Sequence, residues 1–230
     1  MFVLDHLRAA MELFYPNLCA GCQNHLSPTE TAICSLCLLQ LPYTKFPLNT
    51  NPLSNRFIPL AGIDGAYSLC YYNKASKLQH MLHALKYKNQ PEVGNLLGKV
   101  LGKRLVDLAL PVVDVVVPLP LHKKRLQQRG YNQAQRIAEG VSPVLNGTME
   151  LKGLSRVQHN STQTHKSRRE RIQSMEGAFK ADSNVFKEKS ILLVDDVITT
   201  GATMLSCAEA LLDSGCRTIY VASLAYADDF

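Results

Sequence analysis

The segment that decides the fold is Ile191-Leu-Leu-Val-Asp-Asp-Val-Ile-Thr-Thr-Gly-Ala-Thr203. Its first four residues are apolar, which predicts a strand buried on both faces, as in a parallel sheet. Asp195 and Asp196 follow where that strand should leave the sheet, and ligands of open α/β sheets bind at the carboxyl ends of strands. The next segment predicts a helix with one apolar side, formed by Met204, Cys207, Ala208, Leu211 and Leu212. The sequence therefore predicts an α/β fold with a site at the acidic pair.

The loop from Thr199 to Thr203 has the composition of a phosphate-binding loop. A loop that enters a helix N-terminus offers free N–H groups and the positive end of the helix dipole. Gly201 permits a tight turn with positive φ, and the threonine hydroxyls add hydrogen-bond donors. Two carboxylates beside such a loop predict a sugar phosphate, with the carboxylates on the ribose hydroxyls and the N–H groups on the phosphate.

Three other interpretations of this segment can be compared with the sequence. An apolar strand followed by two aspartates is, taken alone, often a solvated turn. A Walker B strand needs a G-x-x-x-x-G-K-[ST] partner, which this sequence does not contain. A receiver domain begins with a similar acidic strand but needs most of a domain after it, and the printed sequence ends at Phe230. The sugar-phosphate interpretation is therefore favoured.

Composition and charge indicate a globular protein with an anionic partner. The 230 residues are 46% hydrophobic and 19% charged, with a formal net charge of +6, and correspond to one or two domains. The charge favours anions but does not separate nucleotides, pyrophosphate and nucleic acid. No apolar run approaches the roughly 18–20 residues of a membrane span. Asp5, Arg8 and Glu12 interrupt any signal-peptide core, so we expect a cytoplasmic protein without a membrane span.

Four of the seven cysteines form two pairs, Cys19-Ala-Gly-Cys22 and Cys34-Ser-Leu-Cys37. A C-x₂-C…C-x₂-C pattern is typical of a structural, tetrahedral zinc site of four thiolates, to which we assign no catalysis. His25 is a possible substitute ligand. Two redox-active pairs are the alternative, but thioredoxin-like chemistry needs a following helix in a βαβ setting, which this part of the sequence does not predict.

The sequence divides at residue 60 into a small N-terminal unit and an α/β domain. Residues 1–60 would hold an amphipathic helix within 1–15, the zinc knuckle and a linker, because 42–62 are rich in Pro and Asn. Residues 61–230 would hold the sheet, with strands at 66–72, 112–117, 190–195 and 217–224 and helices at 75–87 and 92–109. The lysines of the first of these helices, Lys77 and Lys86 among them, fit a solvated face.

Two basic segments accompany the acidic pair. Residues 122–133, His-Lys-Lys-Arg-Leu-Gln-Gln-Arg-Gly-Tyr-Asn-Gln, follow a predicted strand and suit a second anion, pyrophosphate, through Arg125 and Arg129. A solvated basic helix is the alternative. Residues 154–179 are polar and basic without apolar periodicity, which predicts a long mobile loop of the kind that forms lids.

The acidic pair and its Thr-Thr-Gly-x-Thr loop resemble the phosphoribosyl pyrophosphate (PRPP) motif of type I phosphoribosyltransferases. The chain as a whole resembles the ComF family of competence proteins, related to the GntX group. The resemblance covers nearly the full length. It rests on Cys19/Cys22/Cys34/Cys37, Leu85-Lys86-Tyr87, Arg129-Gly-Tyr-Asn-Gln133, Arg156…Thr162-Gln163-Thr164…Arg171 through Gly177-Ala-Phe179, and Val194-Asp-Asp-Val-Ile-Thr-Thr-Gly201.

This resemblance implies an α/β, type I phosphoribosyltransferase-like parallel sheet flanked by helices, behind an N-terminal zinc knuckle. It implies Mg²⁺-dependent PRPP binding and a part in DNA uptake during natural transformation, or in nucleotide metabolism. The catalytic residues would be Asp195 and Asp196. The PRPP-binding residues would be Val197, Ile198, Thr199, Thr200, Gly201, Ala202, Thr203, Arg125 and Arg129, and the lid would carry Arg156, Gln163, Arg168 and Arg171.

Two hypotheses of function follow. The first is a phosphoribosyltransferase, a glycosyltransferase with an unknown acceptor. The second is a non-catalytic module that binds PRPP or single-stranded DNA, in which the basic segments follow the phosphate backbone and Tyr131 stacks on a base. Competence or recombination proteins are possible partners in either case.

Overall fold

A five-stranded parallel sheet forms the centre of the protein, of which a computed structural model describes residues 16–157 and 177–227. The strands, in chain order, are β1 (Gly65–Tyr71), β2 (Val115–Pro118), β3 (Thr148–Met149), β4 (Leu154–Arg156), β5 (Phe179–Ala181), β6 (Ser190–Ile198) and β7 (Thr218–Tyr226). The sheet has the order β1-β7-β6-β2-β3, and all its neighbouring strands are parallel. The predicted α/β fold with a parallel sheet is confirmed.

The helices cover the sheet because its central strands are apolar on both faces. In chain order they are α1 (Ser35–Leu39), α2 (Pro52–Ala61), α3 (Lys77–Tyr87), α4 (Pro91–Asp107), α5 (Lys123–Arg129), α6 (Gln133–Leu145), α7 (Ser183–Phe186) and α8 (Ala202–Asp213). Helices α4 and α6 approach each other closely at Gly98 and Gly140. A Cβ atom built on Gly98 would lie 2.2 Å from the carbonyl oxygen of Ile137, so only glycine fits there.

The prediction of a linker over residues 42–62 is wrong, because its second half is the ten-residue helix α2. Asn51 accepts hydrogen bonds from the backbone N–H groups of Leu53 and Ser54 through its side chain, which caps the helix. Pro52 stands at the first helical turn, where proline has no N–H to lose. The same residue types that suggested a linker are thus helix-start signals. The proposed division at residue 60 remains a prediction, and it falls within α2.

Strand β6 is longer than predicted and continues to Ile198 instead of ending at the first aspartate. Val197 and Ile198 pair with Ala225 and Tyr226 of β7, which keeps the backbone extended past both carboxylates. Since successive residues of a strand point to opposite faces of the sheet, the aspartates diverge from a common backbone.

The basic segment at 154–179 is not a loop at its ends. Strands β4 and β5 pair in antiparallel fashion, with Arg156 opposite Phe179. Residues 158–176, between them, lie outside the described residues, as does the predicted helix within 1–15. Every helix in the described ranges is too short or too polar to cross a lipid bilayer.

Candidate functional site

A cavity of about 420 Å³ lies where the parallel strands end at their carboxyl side. Residues that follow β1, β2 and β7 line it, together with the aspartates of β6 and residues of α3, α5 and α6. The lining residues are Tyr72, Lys86, Leu119, Pro120, Leu121, His122, Arg125, Arg129, Asn132, Gln133, Ala134, Arg156, Asp195, Asp196, Val197, Thr199, Thr203 and Ala227. The cavity therefore joins the acidic pair, the threonine loop and the first basic segment, which are far apart in sequence.

The two carboxylates face different partners. Asp196 accepts a charge-assisted hydrogen bond from Lys86, whose Nζ lies 2.9 Å from Asp196 Oδ2. The backbone N–H of Asp196 donates to Oδ1 of Asp195 at 2.7 Å. Both side chains are partly exposed to the cavity, so each keeps acceptor capacity for a ligand.

The pKa of Asp195 is raised from its ordinary value of 3.8 to about 8. Burial is the main cause, and the neighbouring Asp196 carboxylate adds to it. The N–H of Asp196 and the cations Lys86 and Arg125 act in the opposite direction. Because Asp195 holds a proton near neutral pH, a cation that binds there would release that proton.

Lys86 was interpreted from the sequence as part of a solvated helix face, and that interpretation is wrong. It lies in the last turn of α3, directly after the fully buried Leu85, and its ammonium group reaches Asp196 across the cavity. The carbonyl of Leu85 accepts a hydrogen bond from the hydroxyl of Tyr131, which ties this turn to the basic segment. The one sequence signal for Lys86 was its place in the Leu85-Lys86-Tyr87 motif.

The residues predicted to bind PRPP around the loop between β6 and α8 differ in their surroundings. Val197, Thr199 and Thr203 line the cavity, whereas Ile198 and Ala202 are buried. Thr200 accepts a hydrogen bond from the N–H of Ala202 at 3.4 Å through its hydroxyl. The loop thus presents two threonines to the cavity and uses its other side chains for its own structure.

Gly201 fixes the turn of this loop in two ways. Its φ of +78° lies in the left-handed region, which disfavours residues with a Cβ atom. A Cβ there would also lie 2.3 Å from Cε1 of Phe57, a fully buried residue of α2. The turn therefore needs both the missing side chain and the ring beneath it.

Helix α2 also holds the loop from outside. The guanidinium of Arg56 donates through Nη1 to the carbonyl oxygen of Thr199 at 3.0 Å and through Nη2 to the hydroxyl of Tyr226 at 3.3 Å. The Pro- and Asn-rich composition of residues 42–62 predicted a linker, so neither α2 nor its contact with this loop was expected.

The cations of the cavity come from three elements. Arg125 and Arg129 of α5 line it, and Arg129 donates to Oε1 of Gln133 at 2.7 Å. Arg156 of β4 lines it too, with its guanidinium carbon 5.5 Å from the ring centroid of Phe179. Burial is the main cause that lowers the pKa of Arg156. The other predicted lid residues, Gln163, Arg168 and Arg171, lie outside the described residues.

Tyr131 does not serve the stacking role predicted for it. Its ring is 9% exposed, and its hydroxyl is engaged with Leu85. The neighbouring Asn132 caps α6 by accepting from the N–H of Ala134, and its Nδ2 donates to the carbonyl of Leu119 at 2.9 Å. These residues build the cavity wall and present no aromatic face to a ligand.

The four paired cysteines lie together and can hold a metal ion. Their sulfur atoms are all within 4.8 Å of one another, and those of Cys22 and Cys34 are 3.8 Å apart. Tetrahedral zinc with Zn–S bonds of about 2.3 Å needs sulfurs about 3.8 Å apart. Burial by itself would raise the pKa of the Cys19 thiol. Hydrogen bonds from backbone N–H groups of Cys34, Cys22 and Gly21 together have the larger effect and lower that pKa from 9.0 to about 7. Such N–H groups suit a thiolate ligand.

The cysteine cluster packs on the helix that carries Lys86. Nδ1 of His80 lies 3.2 Å from the carbonyl oxygen of Gly21, a hydrogen bond when Nδ1 carries the proton. A Cβ on Gly21 would lie 2.6 Å from Cε of Met81, which shows how closely the two elements meet. The cluster therefore supports α3, one turn before the lysine that reaches the cavity.

The chain is similar to competence and DNA utilization proteins. The family described as "Phosphoribosyl transferase domain" matches residues 128–229. "Competence protein F" of Haemophilus influenzae is 29% identical over 234 residues, with 96% of each chain covered. "Competence protein ComFC" of Bacillus subtilis is 27% identical, covering 93% of this chain and 86% of that protein. "DNA utilization protein YhgH" of Escherichia coli K12 is 26% identical, with 93% of this chain and 92% of that protein covered.

One solved structure is similar over part of the chain. Glutamine phosphoribosylpyrophosphate amidotransferase from B. subtilis, complexed with ADP and GMP, is 23% identical with a TM-score of 0.42. The overlap covers 61% of this chain and 30% of that one. The three sequence relatives cover 93–96% of this chain. The similarity to these competence and DNA utilization proteins extends over almost the whole chain, with the phosphoribosyl transferase domain in its second half, and it supports the resemblance to the ComF family.

Proposed function

We propose that the cavity binds PRPP with Mg²⁺. Asp195 and Asp196 would accept hydrogen bonds from the ribose hydroxyls, and the loop from Thr199 to Thr203 would hold the 5′-phosphate at the N-terminus of α8. Lys86, Arg125 and Arg129 would lie on the pyrophosphate side. The single observation that supports this most is the union of these three groups in one cavity, at the carboxyl ends of parallel strands.

The cavity has an acidic wall, formed by Asp195 and Asp196, and a basic wall, formed by Lys86, Arg125 and Arg129. These two walls also suit the transfer of a phosphoribosyl group. When an acceptor attacks ribose C1, positive charge develops on the sugar and negative charge on the leaving pyrophosphate. In this proposal the acidic pair would face the sugar, and Arg125 and Arg129 would face the leaving group. Arg156 adds a cation from the β4–β5 hairpin, where the predicted lid begins. A lid over the cavity would protect the sugar from water.

We further propose that the four cysteines bind zinc as a structural site. Thiolates in a closed set of four leave no open coordination position, so the metal would stabilise residues around 19–37 and would not act on the ligand. Mg²⁺, in contrast, would come with PRPP and be held through its phosphates, as is usual for this cation.

The names of the relatives support a role in the use of incoming DNA. "Competence protein F", "Competence protein ComFC" and "DNA utilization protein YhgH" are the names of full-length relatives. We propose that this chain acts in DNA uptake and that its phosphoribosyl site serves that process. Pyrophosphate release in the presence of candidate acceptors would separate a transferase from a module that only binds PRPP.

Calorimetric titration with Mg²⁺-PRPP tests the site. The Asp195→Asn/Asp196→Asn double variant should lose at least about a hundredfold in affinity, because the two carboxyl groups proposed to accept from the ribose hydroxyls, and the negative charge of the pair, disappear. Asp107→Asn is the matched control, since Asp107 is an exposed carboxylate of α4 outside the cavity. Unchanged affinity in the double variant would reject the proposed site.

A further inference from the structure

We propose that a second hollow beside the cavity binds a phosphorylated nucleoside, with the base stacked on Tyr87. The hollow has a volume of about 560 Å³ and is lined by Lys86, Tyr87, Asn89, Arg125, Gln128 and Arg129. Ligand sites of small molecules have volumes of about 300–1,000 Å³. The proposal extends the proposed function in one respect, since it predicts competition with PRPP.

Tyr87 is an aromatic side chain at the surface, 65% exposed, at the end of α3. The guanidinium carbon of Arg129 lies 5.4 Å from its ring centroid, and the ring of His83 lies 5.0 Å away. These contacts orient the ring without covering it. An exposed ring that is held in place can stack on a nucleobase, and such stacking tolerates any base because each has a π-face.

The other lining side chains suit a phosphate and the edge of a base. Lys86, Arg125 and Arg129 are cations, and Asn89 and Gln128 carry amides that both donate and accept. No carboxylate is among the residues that line this hollow. A sugar phosphate or pyrophosphate alone would contact the cations but would make no use of the Tyr87 ring or of the two amides.

The hollow and the cavity share Lys86, Arg125 and Arg129. Two anions cannot both take the full benefit of the same three cations, so each should weaken the binding of the other, and by the same factor. The nucleoside phosphate is thus predicted to act as a competitor of PRPP that does not itself need the acidic pair.

Direct titration with AMP tests the site, with ribose 5-phosphate as the probe that lacks a base. AMP should bind at least about fivefold more tightly than ribose 5-phosphate, and Tyr87→Ala should remove that difference, because stacking of one base is worth about 1–3 kcal/mol. Tyr87→Phe keeps the ring and should bind AMP like the wild type. Equal binding of both probes, or AMP binding unchanged in Tyr87→Ala, would overturn the proposal.

The Asp195→Asn/Asp196→Asn variant separates this proposal from the proposed function. It should lose PRPP and keep AMP, whereas Tyr87→Ala should lose AMP and keep PRPP within about fivefold, since the Arg129–Tyr87 contact is worth only ~0.5–1 kcal/mol. If AMP binding disappears with the aspartates, AMP occupies the cavity and the second hollow is not its site. If PRPP fails to bind the wild type while AMP depends on Tyr87, the proposed function fails and this inference stands.

The source of the nucleoside phosphate is distinguished by a third probe. A short 5′-phosphorylated oligodeoxythymidylate is compared with free dTMP and with the same strand without its phosphate. Tighter binding of the phosphorylated strand assigns the hollow to a DNA end, and tighter binding of dTMP assigns it to a free nucleotide. A 5-bromouracil strand should cross-link to Tyr87 in the first case, and cross-links mapped only elsewhere would contradict that assignment.

Discussion

The two walls of the cavity are built in different ways. The acidic wall is part of β6, whose backbone pairs with β2 up to Val194 and with β7 along its whole length, so pairing with β7 fixes the backbone of Asp195 and Asp196. The basic wall consists of helix ends: Lys86 closes α3, while Arg125 and Arg129 belong to the short and largely exposed α5. It is positioned by side-chain contacts such as those of Tyr131 with Leu85 and Arg129 with Gln133.

Because of this difference, substitutions should affect the two walls in different ways. Replacing a carboxylate of the acidic wall changes the chemistry of the site but leaves its place in the sheet intact. The basic wall can be displaced by changes far from the cavity, because α3 rests on the cysteine cluster through His80 and Met81. Changes to the cluster should therefore act on one wall and leave the other unaffected.

The largest effect is expected from the Cys22→Ser/Cys34→Ser variant. Binding of structural zinc contributes on the order of 10 kcal/mol to the folding of small metal-binding units, so the variant should lose both the metal and the order of the knuckle. Hydrogen exchange should then show reduced protection in α3 and unchanged protection in β6, with zinc content measured in parallel.

Cys216→Ser is the control for that experiment, because Cys216 is partly buried and lies outside the cluster. Loss of protection spread equally over α3 and β6 would contradict the separation of the two walls.

A pH-dependent effect on stability is expected from Asp195. Its pKa is about 8 in the folded protein against 3.8 ordinarily, so between these values the folded state holds a proton that the unfolded state has released. The free energy of unfolding should fall as the pH rises from about 4 to about 8, by at most about 1.4 kcal/mol per pH unit from this group. Denaturant unfolding of Asp195→Asn should lack this part of the pH dependence.

Asp107→Asn, which changes an exposed carboxylate, should keep the pH dependence of the wild type. If the Asp195→Asn variant keeps the same pH dependence of stability, another group holds the proton, and the pKa of Asp195 is not raised by its burial.

The smallest effect is expected at the loop that completes the acidic wall. Gly201→Ala places a Cβ against the ring of Phe57 at a positive φ, and such overpacking costs ~1–3 kcal/mol beyond the backbone term. Gly130→Ala is a matched control, because its φ of +76° is similar but no atom lies within 4 Å of the added Cβ. Thermal unfolding should show the excess loss at Gly201 only, and equal losses would show that Phe57 yields to the methyl group.

The residues of the acidic wall were easier to find from the sequence than those of the basic wall. The acidic pair, its threonine loop and the four cysteines were recognised because their residues are adjacent in sequence and have fixed spacing. Arg125 and Arg129 were recognised as a basic segment. Lys86 was assigned to solvent and α2 to a linker, since a helix face or a proline-rich segment has no local feature that states what it will contact.

The amino-acid sequence by itself determined the parallel sheet, the place of the carboxylates directly after the apolar residues of a buried strand, and the cysteine set. These features depend on hydrophobic periodicity and on the spacing of residues close together in sequence, so they can be recognised without knowledge of distant contacts. Only the tertiary structure decided that Lys86 meets Asp196, that Phe57 and Arg56 contact the loop between β6 and α8, and that Tyr131 is buried while Tyr87 is exposed. Contacts between distant segments depend on how helices pack on the sheet, and that packing is a property of the whole fold.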